Sequence, residues 1–513
     1  MKRFFQVITF LVAVVVANAQ VKLASPFTDH MVLQQKALVP VWGWASPGEK
    51  ITVSLGKQKK SIVTTADGKW MIKLDQLKAG GPFALTIKGK NSITIKDVYV
   101  GEVWLCSGQS NMDMTVARED RYWCGVHNEA AEVAAASYPL IRVFDTDFSP
   151  RETIQTTVGG KWEVCAPATV GHFSAAAYFF ARELYKKYKV PIGLITTAYG
   201  ASTAEAWTSQ TALQSNRLFA KLLADYAVKK DRYDTSITAQ QKYDIAYAKW
   251  QKDSADAKAA KKDPPRGVKN PDPKVDQHSP YVLYNGMVAP LIPYAIKGAL
   301  WYQGESNTTT KEIYDSQMAT LIQNWREDFA QGDFPFIYVQ LANYGKTRDS
   351  IPGKGGGTTY IREKQLQNLS LLNTAMVVAI DNADDPANIH PKNKQDIGYR
   401  LALAAEAKVY GEKIIYSGPI YKNFSIQGNT MRIRFTGEEA LQAKGNQLIG
   451  FAIAGKDKKF VWANAVIDGA TIVVSSPDVV EPVAVRYAWG DNPPANLYNK
   501  AGLPASPFRT DEW

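Results

Sequence analysis

Ser110 occupies a position in this chain that would suit a nucleophile. It follows the apolar run 103–106 (VWLC) after a short turn that contains Gly108. Such a run predicts a buried strand, and open α/β sheets bind their ligands where the strands end. A serine hydroxyl attacks only when a neighbouring base takes its proton. Because Met112 stands where the common Gly-x-Ser-x-Gly turn has its second glycine, an ordinary polar turn is the alternative interpretation.

A base for this serine must come from one of five histidines: His30, His127, His172, His278 and His390. Of these, His390 follows a predicted buried strand of the α/β region, at 376–380 (MVVAI). A helical pattern begins after it, with Ile397 and Leu401 on one face. Pro391 disfavours a helical backbone at His390 and holds it extended. His390 is therefore the predicted base, although a lone histidine is also compatible with a structural role.

Ester hydrolysis passes through a tetrahedral oxyanion, which needs hydrogen-bond donors. One such donor contributes roughly 3 to 4 kcal/mol to transition-state stabilisation. Asn307, at the end of 301–307 (WYQGESN), could supply a side-chain amide, and Gly200 could supply a backbone N–H. Each lies just past a predicted strand. A polar loop at Asn307 and a turn at Gly200 are the alternatives.

The elements that must position these residues form a pattern of short apolar runs and helices. After about residue 101 the runs are 103–106, 193–196, 299–302, 336–339 and 376–380, and residues 173–188 read as a helix. Strands that alternate with helices predict a parallel sheet covered by helices on both faces. The fold class is therefore predicted to be α/β.

The sequence on either side of this region is different. Residues 20–98 show short alternating strands separated by Gly, Pro and Asp turns, which predicts a β-sandwich-like domain. Residues 412–513 predict a second β-rich domain, and 99–411 form the α/β domain between them. Within it, 209–284 form a helical, lysine-rich insertion, where the spacing of Tyr243, Tyr247 and Trp250 predicts an amphipathic helix.

Composition and the amino terminus bound the class of protein. With 45% apolar residues the 513-residue chain can bury a large core, and 60 Lys+Arg against 49 Asp+Glu make it mildly basic, which favours anionic partners. Lys2 and Arg3 precede an apolar run that ends before Ala17-Asn18-Ala19, so residues 1–19 predict a cleavable export signal. We therefore expect a periplasmic or extracellular protein. Three cysteines exclude a disulfide scaffold and leave open whether Cys124 pairs with Cys165.

Five segments contain the candidate site residues and their neighbours: 108–112 (GQSNM), 199–201 (YGA) with 205–207 (EAW), 284–290 (YNGMVAP), 301–307 (WYQGESN), and 389–391 (IHP) with Lys394 and 398–402 (GYRLA). Together they resemble the conserved blocks of the sialate O-acetylesterases, which are secreted carbohydrate esterases of the SGNH hydrolase group. The resemblance implies a flavodoxin-like SGNH hydrolase domain. It also implies Ser110 as nucleophile, His390 as base and then acid, and Gly200, Asn307 and the Ser110 N–H as oxyanion donors.

The acid that would orient His390 is the one position where this sequence differs from the usual SGNH pattern. An aspartate usually stands three residues before the histidine, and this position is Ala387 here. Glu305 is the first candidate, because related acetyl esterases use this block, and Asp385 or Asp384 are the alternatives. Glu305 would equally fit as a buried structural residue or a sugar ligand, and a backbone carbonyl could assist the Ser-His pair instead.

The resemblance predicts an exported serine esterase that removes O-acetyl groups from sugars, with O-acetylated sialic acids as the first candidate. An esterase for acetylated xylan or pectin and a non-catalytic carbohydrate-binding protein are the alternatives. This chemistry requires no metal or cofactor, and we expect neither nucleic acid nor, after signal cleavage, a membrane as partner; the oligomeric state is left open. The expected substrate contacts are Gln109, Asn111, Gln303, Trp301, Tyr302 and Tyr199.

Overall fold

The computed structural model describes residues 20–119, 121–235, 237–260, 262–265, 267–345, 349–437 and 440–513. The predicted export signal, 1–19, lies outside the described residues. Across the described ranges, no helix is both long enough and apolar enough to cross a membrane.

The amino-terminal part consists of strands whose side chains alternate between core and solvent. In Lys69–Leu74, for example, Trp70, Ile72 and Leu74 are buried and the residues between them are exposed, as the predicted period of two requires. One sheet has the order β1-β3-β6, and β4 pairs with β5 and β7 in the other. The strands are β1 (Lys22–Leu23), β2 (Val32–Gln34), β3 (Val39–Trp44), β4 (Lys50–Leu55), β5 (Gln58–Val63), β6 (Lys69–Leu74), β7 (Gly80–Lys88) and β8 (Ser92–Gly108).

Strand β8 joins this part to the centre of the molecule. It is 17 residues long, pairs with β7 and β2 in its first half, and then becomes a strand of the central sheet. The predicted boundary at 98/99 therefore falls inside one continuous strand. Buried apolar side chains from Val21 to Ala405 also form one cluster that includes both regions.

The central sheet confirms the predicted α/β class. Its order is β10-β9-β11-β8-β12-β13-β14, and each neighbouring pair from β9 to β14 is parallel, whereas β10 is antiparallel. The five predicted apolar runs all lie in or overlap these strands, but β9 and β10 were not predicted. The strands are β9 (Tyr138–Thr146), β10 (Gly160–Cys165), β11 (Ile192–Ala198), β12 (Gly298–Tyr302), β13 (Phe336–Gln340) and β14 (Thr374–Val378).

The same part of the chain also contains helices. They are α1 (Ser110–Asp113), α2 (Glu129–Ala134), α3 (Ala175–Tyr188), α4 (Gln210–Ser215), α5 (Ala220–Asp234), α6 (Ile237–Ala259), α7 (Tyr314–Phe329), α8 (Gly357–Gln367) and α9 (Lys394–Lys408). Helix α3 begins after Ser174, whose hydroxyl caps the Ala177 N–H. Helix α9 packs closely on α3, because a Cβ added at Gly398 would lie 2.3 Å from the Cβ of Phe179. The helical stripe predicted in the insertion lies on α6, where the rings of Tyr243, Tyr247 and Trp250 stack in sequence.

The carboxyl-terminal part has its own apolar cluster, from Met431 to Phe508. Its sheets have the orders β15-β16-β21-β20, β17-β23 and β19-β18-β22-β24. It contacts the central domain through Arg362, which is fully buried and donates to the carbonyls of Gly490 and Asp491. The strands are β15 (Tyr421–Gln427), β16 (Thr430–Phe435), β17 (Leu441–Ala443), β18 (Phe451–Ala454), β19 (Phe460–Trp462), β20 (Asn464–Asp468), β21 (Thr471–Ser475), β22 (Ala484–Tyr487), β23 (Leu497–Asn499) and β24 (Phe508–Arg509).

Candidate active site

The ends of three neighbouring strands bring the motif residues to one edge of the sheet. Gly108, at the end of β8, is in register with Ala198 of β11 and with Tyr302 of β12. The backbone of Gly108 has a φ of +143°, and a Cβ there would lie 2.2 Å from the Tyr302 carbonyl oxygen. Only glycine fits this turn without strain. The residues that follow the three strands, including Ser110 and Gly200, therefore emerge beside one another.

Ser110 and His390 are in hydrogen-bond contact. The Ser110 Oγ lies 2.9 Å from the His390 Nε2, although the residues are 280 positions apart. His390 lies in the loop between β14 and α9, as predicted, and Ser110 is the first residue of α1. This distance is that required between a nucleophile and its base, so the predicted contact is confirmed.

Burial sets the protonation state of His390. It lowers the pKa of the imidazole from its ordinary value to about 4, with a smaller contribution from the positive charge of Lys394. At neutral pH the ring is therefore uncharged and can accept the Ser110 proton. The ring of Trp123 packs against it, with ring centroids 4.8 Å apart.

Two backbone N–H groups near the Ser110 hydroxyl are candidate donors to an oxyanion. The Ser110 N–H lies at the start of α1, where a helix leaves its N–H groups without internal partners. Gly200 is adjacent, because a Cβ added there would lie 3.7 Å from the Ser110 Cβ. Within the described residues, neither N–H donates to another protein group.

Asn307 corrects the prediction for the oxyanion donors. Its side chain is fully buried, and its Nδ2 donates to the Glu205 Oε2 at 2.9 Å and to the Thr310 Oγ1 at 3.1 Å. Its Oδ1 accepts the Ala204 N–H at 3.0 Å. Burial raises the pKa of Glu205, and the Asn307 hydrogen bond opposes that shift. The amide hydrogens of Asn307 are thus engaged in a buried network and are not available to an oxyanion.

None of the three predicted acids contacts His390, which corrects that prediction. The Glu305 Oε1 accepts from the Asn111 Nδ2 at 2.6 Å, and its Oε2 is buried without a partner in the described part of the chain. The Asp384 Oδ2 lies 2.7 Å from the His127 Nε2. The Asp385 Oδ1 accepts the Ala387 N–H. Each carboxylate therefore contacts a group other than the His390 imidazole, whereas an orienting acid would accept a hydrogen bond from that ring.

Most of the predicted sugar contacts are buried, which is a third correction. Trp301, Tyr302 and Gln303 are fully buried, and Gln109 and Asn111 are nearly so. Trp301 packs in the core against Trp207, Trp325 and Phe336 because its strand is covered on both faces. The Gln109 Oε1 accepts the N–H groups of Gly304 and Ser306, and the Gln303 Nε2 donates to the Ser202 carbonyl. These side chains hold the loops of the site together.

Tyr199 is the predicted sugar contact that reaches the surface. Its ring stacks on that of Phe148, with centroids 3.5 Å apart and planes inclined by 12°. Phe148 is exposed and follows β9, a strand that the sequence analysis missed. Two stacked aromatic rings next to Gly200 offer an apolar face of the type that sugars pack on.

A second surface group missed from the sequence is formed by Arg121 and Trp123. The Arg121 guanidinium lies 5.0 Å from the centre of the Trp123 ring and pairs with the Asp113 carboxylate at 3.0 Å. Burial raises the pKa of Asp113, and Arg121 opposes that shift. The loop that carries both residues has no periodic pattern, so the sequence held no signal for their position.

Ile389, the residue before His390, lines a cavity of roughly 240 Å³ between the central domain and the carboxyl-terminal part. Glu305, Ile389 and Tyr344 line it from one side and Asp491 from the other.

All three cysteines lie in the described ranges and are buried free thiols, so Cys124 and Cys165 do not form a disulfide in this structure.

Comparison with known proteins agrees with this geometry. A family model described as carbohydrate esterase, sialic acid-specific acetylesterase, matches residues 100–240 and 277–407. The sialate O-acetylesterase of Rattus norvegicus is 30% identical over 536 aligned residues, which cover 95% of this chain and 94% of the rat protein. That of Homo sapiens is 30% identical and is covered to 92% of its length. The crystal structure of a carbohydrate acetylesterase from Xanthomonas citri has a TM-score of 0.80 and 35% identity, covering 96% of this chain and 100% of that chain.

The region between the two matched segments, 241–276, lies within the lysine-rich insertion. The matched segments contain all five blocks on which the resemblance rests. The chain therefore belongs to the sialic acid-specific acetylesterase family of carbohydrate esterases and is a carboxylic ester hydrolase that acts on acetylated carbohydrate.

Proposed function

We propose that this chain is an exported serine esterase that removes O-acetyl groups from sugars, preferentially O-acetylated sialic acids, through an acyl-enzyme on Ser110. The observation that carries the proposal is the 2.9 Å contact between the Ser110 Oγ and the His390 Nε2. The adjacent N–H groups of Ser110 and Gly200 supply the second requirement of acyl transfer, which is stabilisation of an oxyanion.

The proposed reaction follows from these atoms. The His390 Nε2 takes the Ser110 proton as the Oγ attacks the acetyl carbonyl carbon, and the oxyanion accepts from the two N–H groups. The imidazolium then returns the proton to the sugar oxygen as the C–O bond breaks. Water, deprotonated by the same imidazole, attacks the acetyl-enzyme, and the imidazolium returns this proton to the Ser110 Oγ as acetate is released.

The proposal includes a domain organisation. A flavodoxin-like SGNH domain spans 99–411, between β-sandwich-like units at 20–98 and 412–513. The relative order of β11, β8, β12, β13 and β14 supports it, since these five strands, numbered along the chain, have the order 2-1-3-4-5. Strands β9 and β10 extend this arrangement at one edge.

The two candidate classes of substrate differ in their charge. The named relatives of rat and human favour sialic acids, which carry a carboxylate. The cavity lined by Ile389 favours a neutral polysaccharide instead, because the Asp491 carboxylate would repel an anionic sugar that entered it. Acetylated xylan is therefore the second candidate.

The test compares both substrates with one nucleophile variant. Ser110→Ala should abolish acetate release from p-nitrophenyl acetate, O-acetylated sialic acid and acetylxylan. Ser107→Ala is the matched control, because the Ser107 hydroxyl is buried without a hydrogen-bond partner in the described ranges. Equal turnover by Ser110→Ala and the wild type would refute the serine esterase, and a higher kcat/KM on acetylxylan would replace sialic acid as substrate.

Export is tested separately. The proposed signal 1–19 predicts that the protein recovered from the periplasm or medium begins at Gln20. Amino-terminal sequencing of the recovered protein measures this, and an intact Met1 on an intracellular protein would contradict it.

A further inference from the structure

Lys394 is a buried cation that the proposed reaction does not use. It is fully buried at the first position of α9, where the helix dipole disfavours positive charge. Removing an ammonium group from water is costly unless its donors find acceptors. The Lys394 Nζ donates to the Asn111 Oδ1 at 2.9 Å and to the Pro391 carbonyl oxygen. Its position is therefore specified by two acceptors from the loops of the active site.

Asn111 completes the connection between those loops. It directly follows Ser110, and its Nδ2 donates to the Ile389 carbonyl oxygen at 3.1 Å as well as to Glu305. The carbonyl groups before and after His390 are thus each held by one side chain, and these two side chains bind each other. We call Asn111 and Lys394 the His390 clamp.

Lys394 and Glu305 can carry opposite charges, and both side chains contact the Asn111 amide. Burial lowers the pKa of Lys394 to about 7 and raises that of Glu305, while each charge opposes the shift of the other. The other charged or titratable groups that face Lys394 are His390, Cys124 and Asp384. The Tyr302 ring lies 5.6 Å away. Among these groups in the described part of the chain, Lys394 is the one whose charge lowers the pKa of His390.

We propose that Asn111 and Lys394 are positioning residues of the esterase, which fix His390 against Ser110 in place of the carboxylate of a Ser-His-Asp triad. The inference rests on the proposed function of Ser110 and His390. It follows from two observations together: no carboxylate within the described ranges contacts the imidazole, and the carbonyl oxygens of Ile389 and Pro391, the residues on either side of His390, each accept a hydrogen bond from the clamp.

The test replaces Lys394 by methionine, which has a similar length and no charge, and uses p-nitrophenyl acetate as substrate. Loss of a positioning contact should lower kcat by up to ~100-fold with little change in KM. The sign of the pH effect is defined, because removing a positive charge makes protonation of His390 easier. The acidic limb of kcat/KM should therefore move to higher pH in Lys394→Met, whereas a purely structural role would leave it in place.

Lys392→Met is the matched control, because its side chain is exposed and two residues away. It should retain the kcat and the pH profile of the wild type. Lys394→Gln keeps a neutral donor and provides a second variant in case the methionine variant fails to fold, which thermal unfolding would reveal. Should neither fold, Asn111→Ala decides, because it removes the hydrogen bond to the Ile389 carbonyl oxygen: a fall in kcat of up to ~100-fold supports the clamp, and a wild-type kcat overturns it.

Failure of this inference is distinguishable from failure of the proposed function. A folded Lys394→Met or Lys394→Gln enzyme with wild-type kcat and an unshifted acidic limb overturns the clamp while Ser110→Ala remains inactive. Activity in Ser110→Ala would instead overturn the serine esterase itself.

Discussion

Two polar clusters at the same edge of the central sheet differ in how completely their hydrogen bonds are satisfied. Around Ser110, two N–H groups donate to no other protein group in the described ranges, and the hydroxyl has a single base. Around Asn307, every polar group of the amide is engaged with Glu205, Ala204 or their neighbours. Unsatisfied donors at a surface can act on a substrate, whereas a saturated buried network stabilises the loops that hold them.

The largest expected effect that tests this difference is on stability. Asn307→Ala removes a partner of the buried Glu205 carboxylate and leaves the Ala204 N–H unpaired. The free energy of unfolding should fall by roughly 3 kcal/mol, because buried polar groups without partners are costly. Urea unfolding measures this, and kcat per folded enzyme should change little.

The opposite result would break the comparison. An oxyanion donor is worth about 10²- to 10³-fold in kcat. A loss of that size in Asn307→Ala, with unchanged stability, would return Asn307 to the catalytic cluster.

The next effect concerns the helix that follows His390. Gly398→Ala places a Cβ 2.3 Å from the Cβ of Phe179 and 2.6 Å from the Phe180 backbone nitrogen, so α9 must move away from α3. Overpacking of this kind costs about 1 to 3 kcal/mol. Thermal unfolding should show this loss, and kcat should fall because the displaced helix carries the His390 loop.

A matched glycine controls for the substitution itself. Gly267→Ala meets nothing within 4 Å, so its stability should equal that of the wild type. Equal stability of Gly398→Ala and Gly267→Ala would show that the α3–α9 contact does not constrain the active site.

The smallest effect distinguishes substrate binding from chemistry. Phe148→Ala removes one ring of the stacked pair with Tyr199. KM for an acetylated sugar should rise by about threefold, since such a contact contributes about 0.5 to 1.5 kcal/mol. kcat/KM for p-nitrophenyl acetate should stay unchanged.

Trp462→Ala is the control, because Trp462 is exposed to the same extent, 42%, on the carboxyl-terminal part. An equal rise of KM in both variants, or none in Phe148→Ala, would exclude the stacked pair as a sugar contact.

The contact between Ser110 and His390 was predictable because each residue follows an apolar run, and parallel strands end at the same edge. The same reasoning was wrong for Trp301 and Tyr302. Both lie in one of the blocks and were expected to contact a sugar, yet they are buried because their strand is covered on both faces. Phe148 and Trp123 were missed, since neither lies in a periodic segment. Lys394 was noted within a block, but its contact with Asn111 joins positions 283 residues apart.

The class of the fold, the strands that end at this edge of the sheet, and the proposed nucleophile and base that follow two of them could be predicted from the sequence alone. These features depend on the hydrophobicity of short segments, which adjacent residues specify. Which polar side chains have all their hydrogen bonds satisfied and which reach the surface depends on the tertiary fold, as the different positions of Asn307, Glu305 and Tyr199 show. That distinction depends on distances between residues far apart in the chain, and no local pattern contains them.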